Sequence, residues 1–276
     1  MELDEGQVRH FEEHGWLLLP SAFDAAEVAL LLGELPGIAA QNRPENLREP
    51  GSGAIRSALS PHLYNEPFRR LSLHPWLVEP ARRLLGGDVY LHQYKVNAKV
   101  AHDGAVWHWH QDFRTWHSDD GMPEPKVLNA GVFLDDVTEF NGPLMFMPGS
   151  HKLGLVLADA MADRSSVETY GRLAADAAGS PYARETLDGW AQRFGIVAPK
   201  GPAGSVLIFH GCIIHGSAPN MSAWNRTMTL ASYNRTDNAL REPSRPGFVA
   251  LRDFAPITPL EDNCLRELAR STAAAE

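Results

Sequence analysis

Between Val89 and Asn234 the chain is cut into short runs by glycine and proline, and that cadence restricts the fold more than any other feature. Runs at Val89–Lys99, Val127–Leu134, Pro143–Met147, Ser205–Ile214 and Arg226–Asn234 have strand length, with turns at Gly104, Asn141-Gly142 and Pro148-Gly149 between them. Strands of this kind close into a barrel or a double-sheet jelly roll. The expected fold is mainly β with flanking helices, around a double-stranded β-helix (jelly-roll, cupin-like) core. Side chains alternate along a strand, so Gln93, Lys95 and Asn97 share one face of the first run.

Ahead of these strands, residues 1–88 read mostly as helices. Val8 and Phe11 mark a short amphipathic helix ended by Gly15, and Trp16–Leu19 is a buried strand closed by Pro20. Val28, Leu31, Leu32 and Leu35 form a helix capped by Ser21 or Asp24 and expected to stop at Pro36-Gly37. Residues 41–60 are polar and carry Pro44, Pro50, Gly51 and Gly53, which predicts a loop that covers a site. A further helix is expected over Trp76–Leu85. Residues 153–200 are helix-prone and separate two groups of strands, so they read as a lid-like insertion over the barrel mouth. The proline-bearing tail from Thr236 suits surface wrapping. With 276 residues and 44% hydrophobic content, one domain suffices.

The charge balance narrows the partners. Twenty-five basic against 34 acidic residues give a net charge of -9, which disfavours nucleic acid and anionic membranes and leaves a small molecule as the expected partner. The acidic start lacks a signal-peptide pattern and no apolar run approaches the ~18 residues of a membrane span, so a cytoplasmic location is expected. Cys212 and Cys264 are too few for a disulfide framework or a thiolate metal site and read as buried thiols.

The chemistry is concentrated in Val106-Trp107-His108-Trp109-His110-Gln111-Asp112-Phe113-Arg114-Thr115-Trp116-His117. If this run is extended throughout, His110, Asp112 and Arg114 point to one side. One imidazole and one carboxylate are two thirds of the two-His, one-carboxylate set that holds non-haem Fe(II). His210 and His215 compete to complete it, and position alone does not choose between them. Arg226 opens a run eleven residues after His215, and an antiparallel neighbour would return it beside the metal. A guanidinium there, with the Ser217 hydroxyl, suits the distal carboxylate of a 2-oxo acid. His108 and His210 are expected to pack or to support the ligands, and Asp135-Asp136 to form a turn.

At this point the chain resembles the phytanoyl-CoA dioxygenase superfamily of Fe(II)/2-oxoglutarate oxygenases, nearest to ectoine hydroxylases and to free-amino-acid hydroxylases of bacterial natural-product pathways. The likeness runs from Phe11-Glu12-Glu13-His14-Gly15-Trp16 to about Asn234 and includes Asp120-Gly121-Met122-Pro123, Asn141-Gly142-Pro143-Leu144, Pro148-Gly149-Ser150-His151-Lys152 and His215-Gly216-Ser217. The resemblance implies iron ligation by His110, Asp112 and His215. It implies 2-oxoglutarate binding by Arg226, Ser217, Asn97 and Gln93, with O2 as the co-reactant. Lys95, Arg114, Trp116 and Met228 are the expected substrate-side residues. Asp112 matters here, because related halogenases carry a small residue in its place, and its presence implies hydroxylation.

Ectoine hydroxylases carry Ser and Glu where Gln111 and Arg114 stand, and Asn where Met228 stands. A free L-amino acid, leucine-like, is therefore the expected substrate, with ectoine the alternative. A metal-binding cupin-like protein without oxygenase activity would have no need of Arg226.

Overall fold

A computed structural model of the chain describes residues 2–157 and 180–273. Helix α1 (Glu5–His14) starts in a capping box, in which Asp4 accepts from the Gln7 N–H and Gln7 accepts from the Asp4 N–H, and it ends on Gly15 at φ 80. Strand β1 (Trp16–Leu19) follows as expected. Helix α2 (Ala25–Ala39), capped by Asp24, runs past the stop expected at Pro36-Gly37. Buried Ile38 anchors the extra turn, and the Ala40 N–H reaches the Pro36 carbonyl at 3.0 Å.

The polar stretch 41–60 contains two strands, β2 (Asn46–Arg48) and β3 (Ile55–Leu59), where a covering loop was expected. Its polarity has a structural reason. Arg56 pairs with Glu49 in the interior at 3.2 Å, and the Ser57 hydroxyl donates to Asn97 Oδ1 at 2.7 Å. Buried polar side chains survive only when so partnered, and here they disguise a strand as a loop. Helix α3 (Glu66–Ser72), unforeseen from the sequence, precedes α4 (Pro75–Leu85).

Strand β4 (Val89–Lys99) matches its expected bounds. After it come β5 (Trp107–His110), helix α5 (Asp112–Asp120), β6 (Val127–Val132) and β7 (Met145–Phe146). Helix α6 (Arg184–Phe194), strands β8 (Val206–His210), β9 (His215–Ser217) and β10 (Arg226–Arg235), and helix α7 (Cys264–Ala273) complete the order. Much of the insertion expected over 153–200, namely 158–179, lies outside the described residues. No described helix is long and apolar enough to cross a membrane.

The strands form a seven-stranded sheet, in the order β1-β8-β6-β10-β4-β3-β2, and a three-stranded sheet, β5-β9-β7. Alternation gives the large sheet two different faces. Tyr94, Val96, Leu128, Ala130, Ile208 and Tyr233 pack with Phe68, Leu71, Leu77 and Val78 of the helices. From the other face Phe133, Leu207, Phe209, Met228 and Leu230 meet Phe146 of the small sheet. Each such side chain contributes about 1.5–3 kcal/mol by leaving water. The polar positions of that inner face are the ones free to build a site.

Candidate active site

The two histidines are brought together by strand pairing. His110 closes β5 and His215 opens β9, and the two residues are direct antiparallel partners, with ring centroids 4.2 Å apart. Each ring is oriented by a carbonyl two residues back. His110 Nδ1 bonds to the His108 carbonyl at 2.6 Å, and His215 Nδ1 to the Ile213 carbonyl at 3.0 Å. Both Nε2 atoms then face Asp112, at 3.5 Å for His110 and 3.7 Å for His215. One ligand atom from each of the three side chains lies within 4.8 Å of the others. Burial, then the charge of His110, lowers the His215 pKa to about 4 against the opposing pull of Asp112, so its ring is neutral and its lone pair available. For Asp112 burial acts upward, but Lys95, His215 and His110 outweigh it and hold the carboxyl well below the usual range. Two imidazoles and one carboxylate suit a non-haem Fe(II) ion.

Asp112 reaches this position by a route the sequence did not suggest. The strand stops at His110, Gln111 takes the N-cap position, and Asp112 is the first residue of α5. A carboxylate at a helix N-terminus is favoured by the unpaired N–H groups there. The expectation that Asp112 and Arg114 share a strand face with His110 is thereby corrected. At about 100° per residue, Arg114 lies roughly 200° around α5 from Asp112. Its charge acts on Tyr182, in the segment leading to α6. Trp116, one turn on from Asp112, is 1% exposed and packs with Phe113, Met122 and Val127, its ring edge-on to His92.

Asn129 was not singled out from the sequence. This buried amide donates to Asp112 Oδ2 at 2.8 Å and accepts from the Ser232 hydroxyl at 2.6 Å, so a relay from the large sheet fixes the carboxylate. Its signal was available: an amide in the middle of the apolar run Val127–Leu134 needs a buried partner.

Gln93, Lys95 and Asn97 do share the inner face. Lys95 Nζ donates to Gln93 Oε1 at 3.1 Å, and Gln93 Nε2 donates to the Val249 carbonyl at 3.0 Å, so Gln93 holds Lys95 in place. Burial lowers the Lys95 pKa, Asp112 opposes that shift and Arg245 reinforces it. Asn97 accepts from Ser57 and stands opposite Met228 in the β4–β10 ladder. Met228 is 1% exposed within the apolar cluster shared by Phe146 and Phe209, both of which border His215.

Arg226 arrives differently from the expectation. Its strand pairs with β4 and β6 of the large sheet, whereas His215 lies in the small sheet, so the two are not on neighbouring strands. Arg226 is buried and donates through Nε and Nη2 to the Gly142 carbonyl at 3.2 and 2.9 Å. Burial lowers its pKa to about 10, opposed by Asp135. A Cβ on Gly142 would stand 2.7 Å from the Ala218 carbonyl, so the backbone to which Arg226 donates packs against the residue that follows Ser217. The Ser217 hydroxyl is buried and has no hydrogen-bond partner among the described residues. Such a group is free to bond an external acceptor such as a carboxylate.

His210 is the last residue of β8, next to inward Phe209, and alternation turns it toward α1, where its ring lies 6.4 Å from Phe11 and 5.3 Å from His151. Its Nδ1 accepts from the Cys212 N–H at 3.0 Å. It is not among the three clustered ligands. His108 contributes its carbonyl and its side chain is exposed. Asp135 lies in a bend after β6, and Asp135 and Asp136 accept from the N–H groups of Thr227 and Ala203, which ties that bend to distant segments of the chain. Both cysteines are buried and free.

Comparison with known proteins agrees with this geometry. The chain is 40% identical over 257 residues to an L-proline trans-4-hydroxylase of Streptomyces griseoviridis, covering 93% of this chain and 96% of that one. It is 39% identical over 262 residues to an ectoine dioxygenase of Stutzerimonas stutzeri, covering 91% and 85%. The crystal structure of EctD from S. alaskensis with 2-oxoglutarate and 5-hydroxyectoine superposes with a TM-score of 0.79 at 32% identity, covering 94% of this chain and 87% of that one. Residues 11–228 match the phytanoyl-CoA dioxygenase (PhyH) family, and the chain therefore belongs to it.

Proposed function

We propose that this protein is an Fe(II)/2-oxoglutarate-dependent hydroxylase of a free L-amino acid, with L-proline its first candidate substrate. The observation that carries the substrate is the 40% identity to an L-proline trans-4-hydroxylase across nearly the whole of both chains. A leucine-like amino acid would present the same carboxylate and an apolar body of similar size. On this reading the two sheets make a double-stranded β-helix around the site, in one domain; of the lid-like insertion expected over 153–200, residues 158–179 lie outside the described residues.

In this reading His110, Asp112 and His215 hold iron, and Arg226 with Ser217 hold the distal carboxylate of 2-oxoglutarate, beside Asn97. When bound, iron and 2-oxoglutarate with O2 supply the oxidant that replaces an unactivated C–H by C–OH, releasing succinate and CO2. The chain's own part is placement. Asn129 holds Asp112, the backbone carbonyls of His108 and Ile213 aim the imidazoles, and the apolar wall of Phe146, Phe209 and Met228 keeps water from the reacting bond. Lys95, held by Gln93 near Asp112, offers a cation to the substrate α-carboxylate.

Ectoine is the second reading, favoured by the likeness to EctD and to the ectoine dioxygenases. Incubation of the protein with Fe(II), ascorbate, 2-oxoglutarate and, in turn, L-proline, L-leucine and ectoine separates them by mass spectrometry. Gain of one oxygen by L-proline with matching succinate is expected. Oxygen transfer to ectoine alone moves the assignment there, and absence of succinate with every substrate refutes the oxygenase itself.

A further inference from the structure

Gln111 stands between the ligands His110 and Asp112, is 1% exposed, and spends its side-chain amide on three separate backbone groups. Nε2 donates to the Cys212 carbonyl at 2.7 Å and to the Gly154 carbonyl at 2.9 Å, and Oε1 accepts from the Val156 N–H at 2.9 Å. The opposite orientation of the amide would set oxygen against two carbonyls and nitrogen against an N–H, so the assignment is fixed by its partners. One contact goes to the segment that delivers His215, where the Gly211 carbonyl also accepts from the Phe113 N–H at 2.9 Å. The other two go to residues 154–156, which follow the Ser150–Leu153 turn. The same ligand strand also holds the chain where it returns. The Ser180 hydroxyl donates to the Trp109 carbonyl at 2.8 Å, and the Tyr182 N–H donates to that hydroxyl at 3.2 Å.

We propose that Gln111 is a positioning residue for hydroxylation, which fastens residues 154–156 to the metal-binding strand and thereby sets how tightly 2-oxoglutarate oxidation is coupled to substrate hydroxylation. A side chain that only filled space would need none of these bonds, and a fully satisfied buried amide specifies one arrangement of the segments it joins. The segments joined are the two that carry all three iron ligands and the one that begins the insertion. In productive turnover one oxygen atom of O2 enters succinate and the other enters the substrate, so the two products form in equal amounts. When the substrate C–H is out of reach, ascorbate supplies the two electrons that, with two protons, reduce the second oxygen atom to water, and succinate and CO2 form without hydroxylated product. Loosening the 154–156 attachment raises that unproductive fraction, because orientation at the reacting bond is what the attachment maintains.

The inference rests on the hydroxylase reading, and the test separates the two. Gln111→Met keeps the length and removes the donors, and Gln111→Glu keeps an acceptor for Val156 but sets a carboxylate against two carbonyls. Hydrogen exchange of the peptide containing Val156 is followed in metal-free protein. Product and succinate are counted in the holoenzyme with ascorbate present. Exchange at least tenfold faster and product per succinate at least threefold lower are expected in both variants, with the KM for 2-oxoglutarate changed less than twofold. Product and succinate falling in equal proportion would make Gln111 merely structural and overturn the proposal, as would unchanged exchange. Faster exchange in a protein whose wild type hydroxylates nothing would sink the hydroxylase reading and the proposal with it. Should neither variant fold, Ser180→Ala releases the other attachment while leaving Gln111 in place. Reduced product per succinate there supports the proposal, and an unchanged ratio overturns it.

Discussion

Replacing Asn129 by leucine tests whether the carboxylate ligand is held from the large sheet. The substitution conserves volume and removes two hydrogen bonds, one to the ionised Asp112 at 2.8 Å and one from Ser232 at 2.6 Å. Losing a bond to a charged acceptor costs about 1.5–3 kcal/mol, and orphaning the Ser232 hydroxyl about 1–3 kcal/mol more, so metal-free protein should lose roughly 2.5–6 kcal/mol in urea unfolding. Freed from the amide, Asp112 is no longer held between the two Nε2 atoms, and a partner of a ligand is worth about 10- to 100-fold in metal affinity. Titration with Fe(II) under nitrogen reads that loss directly. Ser232→Ala completes a cycle: it should cost about 1 kcal/mol or more alone and recover about 1–3 kcal/mol in the Asn129→Leu background, because there it removes an orphaned hydroxyl. Iron affinity within twofold of wild type, together with equal costs of Ser232→Ala in both backgrounds, would refute the relay.

Three further outcomes follow from the geometry. Arg226→Lys, which gives up the planar fork, should raise the KM for 2-oxoglutarate about 10- to 100-fold, the equivalent of a charge-assisted hydrogen bond, with Fe(II) affinity unchanged in a binding titration. His210→Ala should retain iron within about twofold of wild type, whereas His215→Ala should abolish binding; the reverse pattern would move the ligand assignment. His74 accepts the Trp76 N–H on Nδ1, and burial lowers its pKa to about 4, so the folded state takes up its proton later than the unfolded chain does at 6.5. Its contribution to stability is complete above pH 6.5 and is lost as pH falls toward 4, up to about 3 kcal/mol, and His74→Gln should flatten urea-unfolding stability across that window.

Much of the scaffold was legible in the sequence because it rests on local rules. Val8, Phe11 and the terminal Gly15 marked α1, and strict alternation put Gln93, Lys95 and Asn97 on one face. Where side chains serve a polar interior the same rules mislead. Arg56 and Ser57 sit in a strand that reads as a loop, because their partners Glu49 and Asn97 are visible only once the sheet is assembled. The turn at Gln111 misled for a related reason, since its amide is satisfied by Gly154, Val156 and Cys212, none of them a sequence neighbour.

The sequence by itself determined the donor chemistry, with His110 and Asp112 two residues apart, and the succession of strands that must enclose them. Spacing alone left His210 and His215 open and the family resemblance pointed to His215; the physical reason belongs to the tertiary structure, because pairing of β5 with β9 sets His215 opposite His110 while alternation along β8 turns His210 outward. The same is true of Asn129, of the placement of Arg226 across from the small sheet, and of Arg114's departure from the metal face. Each depends on contacts between residues far apart in the chain, and those exist only after the two sheets have closed on one another.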